Sequence, residues 1–277
     1  MNRDRRPGFS ALLVFEIRKF AARPMPWCLL AAIVGVTLLL GLIRRAEDTG
    51  GESYELFAHL IARTLPFTAF VAMILGSLAV NHEVGAGSMR ALLLRPVRRR
   101  EIVLAKALLL AVFALLSGLT ALFAAWAFTA TVSDFGAVMI TIEGLEPREV
   151  IPAAEMAELT RKLGLATLLP LLTAACFGLL ISVLLESEGS AVATAIVGYL
   201  AMQVLGTTLP GAEAWLFPNH LHTALGHLDE LAGQVIAHLA EVRDLGPTSA
   251  ACLVPLAEAL LFVLVAVAVF EKRKLPC

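Results

Sequence analysis

The sequence predicts an all-α integral membrane protein with six transmembrane helices. Hydrophobic residues make up 58% of the 277 residues, charged residues make up only 16%, and the mean hydropathy is +0.81. A soluble domain is nearer half apolar and a quarter charged, so a soluble fold of this length would expose too much apolar surface. The apolar residues also gather into stretches of about 20, the length that crosses a bilayer as a helix. The same composition excludes a disordered chain.

Six stretches of the chain are long and apolar enough to be transmembrane helices. They are rich in Leu, Ala and Val, and none shows the alternation that is typical of an outer-membrane β-barrel strand. We therefore expect residues 1–277 to form a single transmembrane domain. The predicted spans are about 27–43, 56–80, 107–132, 163–185, 191–210 and 249–270.

Lys and Arg are distributed unevenly between the two sides of these spans. One side carries both termini and the loops that follow spans two and four, and it holds 15 of the 22 basic residues and 7 of the 23 acidic residues. The other side holds 6 basic and 15 acidic residues. Because loops rich in Lys and Arg stay in the cytoplasm, we expect both termini there and the loops 133–162 and 211–248 outside.

Residues 8–23 precede the first span and predict a separate helix. Four apolar residues recur at helical spacing and form one side of it: Phe9, Leu13, Ile17 and Phe20. Arg18 and Lys19 point elsewhere, while Glu16 interrupts the pattern beside the apolar stripe. Basic groups next to an apolar stripe are typical of a helix that lies in the cytoplasmic interface of the membrane. The alternative is that this helix extends span one.

The basic loop at 82–106 predicts a short helix on the cytoplasmic surface. Ser88 can cap a helix that Pro96 cannot continue, and a second helix then begins near Arg99 and enters span three. A short amphipathic helix that is held at both ends suits docking into a groove of another protein. The alternative is an ordinary loop that is basic because of its side of the membrane.

The same loop resembles the signature of the ABC-2 type permease family, the membrane subunits of many bacterial ABC exporters. In that family an acidic residue is followed by Gly-Thr/Ser, a Leu pair, Pro-Val, an Arg, an Ile and Gly-Lys. The corresponding residues here are Glu83, Gly87-Ser88, Leu92-Leu93, Pro96-Val97, Arg99, Ile102 and Ala105-Lys106. The departures are Ala105 in place of the usual Gly, and Arg90 near a position where family members often carry an acid.

The resemblance implies a multi-pass permease of the bacterial inner membrane, whose segment 83–99 is the coupling helix on a cytoplasmic ATPase. The residues implied in this contact are Glu83, Gly87, Ser88, Arg90, Leu92, Leu93, Pro96 and Arg99. The sequence has no G-x-x-x-x-G-K-[ST] motif, so we expect a separate ATPase subunit to bind ATP and Mg, and this chain to bind no cofactor. The other implied partners are a second permease copy or a homologue and the lipid membrane, with no nucleic acid.

We expect the complex to export an amphipathic drug, lipid, peptide or glycan, with no catalytic residue in this chain. The motifs G-x-S-x-G and H-E-x-x-H are also absent from the sequence, which argues against an intramembrane enzyme. The alternative is a mechanical membrane subunit that serves a periplasmic partner, such as the copper-enzyme maturation in which some relatives take part.

Arg63 and Glu258 are the only full charges within the predicted spans. Each lies roughly 10–14 Å below the external surface, at a rise of about 1.5 Å per residue. Charges inside a membrane are costly and are usually paired or functional. We therefore expect a salt bridge between them, or two charges that face one cavity. The alternative is that span two begins at Leu65 and leaves Arg63 at the interface.

Two further sets of polar residues are candidates. Tyr199 and Gln203 in span five suit a transport pathway, although helix packing explains them equally well. Four of the six histidines lie in the loop 211–248, and His220, His222 and His227 are weak candidates for a Cu or Zn site. No Cys accompanies them and their spacing matches no common site, so interfacial histidines are the favoured interpretation.

Overall fold

A computed structural model of the chain describes residues 9–46, 53–85, 98–136, 138–140, 148–221 and 249–273. Within these ranges the chain is almost entirely helical. A short 3₁₀-helix, Ala212–Trp215, and a helical turn at 217–221 lie between α8 and α9. The α-helices are α1 Phe9–Ala21, α2 Pro24–Ala46, α3 Ser53–Leu78, α4 Asn81–Gly85, α5 Arg99–Val132, α6 Ala153–Ala166, α7 Leu168–Leu184, α8 Glu188–Thr208 and α9 Ser249–Lys272.

Six helical segments in the described part of the chain are long and apolar enough to cross a membrane, which confirms the predicted fold class. The second runs from α3 through α4, and the fourth joins α6 to α7. The segments are Pro24–Ala46, Leu56–Gly85, Arg99–Val132, Ala153–Leu184, Glu188–Thr208 and Ser249–Lys272.

Local chemistry sets several of the helix ends. Helix α5 begins at Arg99, where the Glu101 carboxylate accepts a hydrogen bond from the Arg98 backbone N–H at 3.1 Å. Ser187 caps α8 by accepting the Ser190 N–H at 3.1 Å. Helix α8 ends at Thr208, two residues before Pro210, the predicted end of span five. A proline has no backbone N–H, so it cannot continue the hydrogen bonds of the helix.

Pro152 suits the first turn of a helix, and the sequence predicts that residues 152–162 extend span four outward. The structure confirms this, because α6 follows Pro152 and continues into α7 with a single break at Thr167. One feature differs from the predicted element map: Val138–Ile140 and Arg148–Ile151 pair as a short antiparallel hairpin. No strand was predicted there, because three or four residues are too short to show an alternating pattern.

The second and fourth spans form the centre of the bundle. The share of each span that is buried is 67% for Leu56–Gly85 and 72% for Ala153–Leu184, against 22% for the first, fifth and sixth spans. Helices α3 and α7 approach closely because Gly76 lies against the Ala175 carbonyl oxygen, and Gly178 lies against the Met73 carbonyl oxygen. Their packing fixes the frame on which the other helices sit.

Candidate functional site

The ends of six helices meet at one end of the bundle, which we call the basic end. It contains both flanks of the predicted coupling loop, residues 83 and 99, together with α1 and the end of α9. Four charged side chains from three helices form an ion network there. Lys19 Nζ lies 2.5 Å and Lys106 Nζ 2.7 Å from Glu83 Oε1, and Lys106 Nζ lies 3.3 Å from Glu16 Oε2.

This ion network is buried and electrically balanced. Glu16, Glu83 and Lys106 have relative exposures of 3%, 3% and 4%, and the four formal charges cancel. Charges removed from water are strongly disfavoured unless oppositely charged partners and hydrogen bonds compensate them. The network is therefore cooperative, because removal of one member leaves another charge buried without its partner.

Packing of α1 on α5 brings Glu16 to Lys106. Leu12 is buried against Ile102 and Ala105, and the rings of Phe20 and Phe113 meet edge to face at 5.6 Å. Glu16 therefore faces α5 and not the solvent, which explains why it interrupts the amphipathic pattern of α1. Leu13, Ile17 and Phe20 line an apolar groove beside α5, as their helical spacing suggests.

A serine hydroxyl at the end of α7 holds the turn between α3 and α4. Ser182 Oγ accepts hydrogen bonds from the backbone N–H groups of Val80 and Asn81, at 3.0 and 3.2 Å. All three residues are buried. Glu83 follows Asn81 by only two residues. The contact with Ser182 therefore fixes the position from which Glu83 reaches Lys19 and Lys106.

We predict that Ser182→Ala destabilises the protein by about 1–3 kcal/mol, because it leaves two buried backbone donors without an acceptor. Ser117→Ala is the matched control. Ser117 is equally buried, but its hydroxyl donates to the Ala114 carbonyl of its own helix at 2.8 Å. Loss of this hydroxyl therefore leaves no backbone N–H of another helix without an acceptor. Thermal unfolding of the two variants in detergent measures the difference, and equal midpoints would contradict the prediction.

Further hydrogen bonds join the remaining helices at the basic end. Arg99 donates to the Arg273 carbonyl at 2.7 Å and more weakly to the Glu271 carbonyl at 3.5 Å. Arg273 in turn donates to the carbonyls of Val183 and Leu185, at 2.7 and 3.0 Å. Arg99, a candidate for contact with an ATPase, is thus engaged within the chain and anchors the start of α5 to the end of α9.

The loop between α4 and α5 begins and ends at the basic end. His82 Nδ1 lies 3.1 Å from Glu188 Oε1 at the start of α8. Glu83 and Lys106, the acid and the lysine at the two ends of the family signature, form a direct ion pair. The other candidate coupling residues lie outside the described residues, and these are Gly87, Ser88, Arg90, Leu92, Leu93 and Pro96.

A cavity of about 320 Å³ lies beside the ion network. Charged residues of α1, α4 and α5 form one part of its wall, together with Arg23 and His82. Apolar residues complete it, among them Phe20, Leu75 and Leu109. The cavity therefore combines charged and apolar surface at the end of the bundle where the loop is attached.

The structure does not bring Arg63 and Glu258 together as a salt bridge. Arg63 is exposed on the surface of α3, and no ion pair joins it to Glu258 in the described part of the chain. The Glu258 carboxylate instead lies near the Phe217 backbone N–H, and its Oε2 atom has no hydrogen-bond partner among the described residues. Similar depth did not produce contact, because a depth estimate carries no information about which way each helix faces. A pathway role for either charge stays a prediction.

Tyr199 and Gln203 occupy different environments in α8. Tyr199 is buried, and its ring lies 6.1 Å from that of Phe217. Its hydroxyl has no hydrogen-bond partner among the described residues. Gln203 is half-buried. Packing accounts for the Tyr199 ring, and a pathway role for the two residues stays a prediction.

His220 is the one weak metal candidate that lies in the described part of the chain, since His222 and His227 lie outside it. His220 is buried, and its Nε2–H donates to the Ala214 carbonyl at 3.3 Å. Burial lowers the pKa of His220, and the hydrogen bond to Ala214 opposes this effect. No group of three or more His, Cys, Asp or Glu side chains that could hold a metal occurs among the described residues.

Glu16, Lys19 and Lys106 were not among the predicted site residues. Two features of the sequence pointed to Glu16 and Lys106. Glu16 was the residue that spoiled the apolar stripe of α1, and a charge at such a position requires a partner. Lys106 was the last residue of the resemblance to the permease signature. Neither signal identifies the partner, because the contacts join residues 64 and 90 positions apart.

The chain matches a known protein family over part of its length. The family model described as "ABC-2 family transporter protein" matches residues 12–146, which include most of α1, the first three spans and the loop between α4 and α5. No curated protein is similar enough to the chain to give a match. Proteins of this family work in a membrane with an ABC ATPase as partner. Residues 12–146, just under half of the chain, are thus similar to ABC-2 family transporter proteins, and six helical segments of the described residues are long and apolar enough to cross a membrane.

Proposed function

We propose that this chain is the permease subunit of an ATP-binding cassette exporter and that its basic end receives the motion of a separate ATPase. The ATPase binds ATP and Mg and contacts the loop at 82–106. One observation carries the proposal: the Glu83–Lys106 ion pair joins the two flanks of that loop, and Lys19 and Glu16 connect the pair to α1.

The geometry suits the transmission of a force. A displacement of the loop acts on Glu83 at the end of span two and on Lys106 at the start of span three. Span two packs closely on α7 through Gly76 and Gly178, so the two central spans move together. Arg99 and Arg273 extend the connection to α9. Rigid, contiguous contacts of this kind can couple a surface loop to the membrane interior.

The basic end faces the cytoplasm of a bacterium in this proposal, and both termini lie on that side of the inner membrane. The excess of Lys and Arg in the segments that meet there supports this orientation. A second copy or a homologue completes the permease. The exposed faces of the fifth and sixth spans leave apolar surface for it and for lipid. The cargo class is an amphipathic drug, lipid, peptide or glycan.

The loop contact is tested by co-purification. We expect the double variant Leu92→Asp/Leu93→Asp to lose co-purification with the ABC ATPase that is expressed with the chain, because two carboxylates replace the apolar residues proposed to enter its groove. Leu145→Asp, in a loop on the opposite side of the membrane in this proposal, is the control. Retention of the ATPase by the double variant, at unchanged membrane yield, would contradict the proposed docking site.

Stimulation of ATP hydrolysis separates export from the mechanical alternative. An exporter reconstituted in vesicles hydrolyses ATP faster when its amphipathic cargo is added. A mechanical subunit responds to its periplasmic partner and not to candidate cargoes.

The variant Lys106→Met, which breaks the ion network, is expected to retain the ATPase and to lose the stimulation of ATP hydrolysis by cargo.

A further inference from the structure

Two cavities adjoin beneath α1 at the basic end of the bundle. One is the polar cavity of about 320 Å³, and the other is an apolar groove of about 280 Å³ between α1, α2 and α5. Phe20 and Leu109 line both of them, so the groove and the polar cavity lie side by side and share a wall. Together they form one site with an apolar and a charged part, which we call the α1 site.

The groove opens on the outer face of the helix bundle. Among its lining residues, Trp27, Val112 and Leu116 are 56%, 56% and 44% exposed. Along α5 the groove extends from Leu108 to Leu116, about 12 Å at the helical rise of 1.5 Å per residue. One leaflet of the hydrocarbon core is roughly 15 Å thick. The groove therefore has the length and polarity that suit a lipid acyl chain.

An aromatic residue marks the headgroup level of this groove. The indole N–H of Trp27 donates to the carbonyl of Ala21, the last residue of α1, at 2.9 Å, while the Trp27 ring lines the groove. Tryptophan is enriched where the hydrocarbon core meets the headgroups. The polar cavity adjoins the groove at this end of α1, which is where the headgroup of a lipid in the groove would lie.

The charge of the polar cavity indicates which headgroup fits. Its Glu16, Lys19, Glu83 and Lys106 side chains cancel one another in the ion network. The ring of His82 lies next to Glu188. Arg23 remains, and no acidic side chain among the described residues pairs with its guanidinium. The α1 site therefore carries one uncompensated positive charge, which a single phosphodiester group would neutralise.

We propose that the α1 site binds an anionic glycerophospholipid of the phosphatidylglycerol type. Its phosphodiester pairs with Arg23, and one acyl chain lies in the groove against Val112. A lipid in this position contacts α1, α2 and α5 together. It thereby stabilises the contact between α1 and the bundle, on which Lys19 and Glu16 depend. This proposal is independent of the identity of the exported cargo.

Native mass spectrometry of the full-length, delipidated chain with added dioleoyl phosphatidylglycerol tests this site. We expect wild-type protein to retain this lipid in preference to dioleoyl phosphatidylcholine and phosphatidylethanolamine. Arg23→Gln should bind phosphatidylglycerol about five-fold more weakly, the effect of one basic group near anionic lipid. Val112→Trp should reduce retention of all three lipids, because the indole fills the groove.

Two matched controls separate the site from general effects of charge and bulk. Arg100→Gln removes an exposed arginine, and Leu119→Trp adds an indole at an exposed position of α5, and neither residue lines the α1 site. Both should bind lipid as the wild type does and show the same rise in melting temperature when phosphatidylglycerol is added. Equal retention of the three lipids by the wild type, or Arg23→Gln and Val112→Trp binding like their controls, would overturn the proposal.

Discussion

Lys106→Met is expected to destabilise the protein by about 3–5 kcal/mol, the cost of breaking a buried ion pair by removing one partner. Lys106 is 4% exposed and contacts both Glu83 and Glu16. Methionine preserves most of the apolar stem, so the effect reports the lost charge. Glu83 keeps Lys19 in this variant, whereas Glu16 stays buried without an ionic partner. The midpoint of thermal unfolding in detergent measures the loss.

Removal of the second charge should reverse part of that loss. In the double variant Lys106→Met/Glu16→Gln the remaining charges of the network are Glu83 and the partly exposed Lys19, which pair with each other. We expect the double variant to unfold at a higher temperature than Lys106→Met alone, since non-additivity is characteristic of side chains in one network. A double variant that is no more stable than the single one would refute the ion network as described.

A surface pair provides the control for this experiment. Lys162 and Glu158 lie one helical turn apart in α6 with Nζ and Oε1 separated by 2.9 Å, but both side chains are more than half exposed. Exposed ion pairs contribute little to stability because water screens them. Lys162→Met should therefore leave the unfolding midpoint almost unchanged. A loss equal to that of Lys106→Met would show that burial is not the cause.

Gly178→Ala is expected to destabilise the protein by about 1–3 kcal/mol, the usual cost of adding a methyl group to a packed core. A Cβ atom at this position would overlap the Met73 carbonyl oxygen and lie 2.9 Å from the Ser77 backbone nitrogen. Both atoms belong to the backbone of α3 and cannot move aside as a flexible side chain would. The helices must therefore separate at their closest approach.

The sign of this effect makes the experiment informative. Alanine is the better helix former by up to about 1 kcal/mol, so Gly→Ala inside a helix with open space should be neutral or stabilising. Gly35 in α2 is the control, since a Cβ there would meet no atom within 4 Å. We expect thermal unfolding to rank Gly35→Ala at or above wild type and Gly178→Ala below it. Equal midpoints for the two variants would contradict the close packing of α3 on α7.

The glycines show how far sequence reasoning reaches. Glycines such as Gly198 and Gly206 in span five permit close helix approach. In the structure they face the side chains of Phe177 and Asn219. The approach between backbones is made by Gly76 and Gly178, in spans two and four. Composition identifies residues that permit contact, but the helix pair that uses them depends on rotations about each helix axis. A single sequence does not specify those rotations.

The same limit applies to the charges. Their cost in the membrane marked Arg63 and Glu258 as residues that need an explanation, but similar depth did not make them a salt bridge in the described part of the chain. Glu16, Lys19, Glu83 and Lys106 come from three separate helices, and no spacing rule links them. Of the proposed coupling residues, Glu83 and Arg99 lie in the described structure, where both make contacts within the chain.

The sequence by itself determined the membrane class, the six spans, the helical start at Arg99 and the resemblance of the basic loop to a permease signature. These properties depend on hydrophobicity, length and local spacing, which are additive along the chain. Only the tertiary structure decided that the ends of that loop form an ion pair attached to α1, and that an apolar groove adjoins it. Those contacts depend on how the helices pack, because packing brings together residues that are distant in sequence.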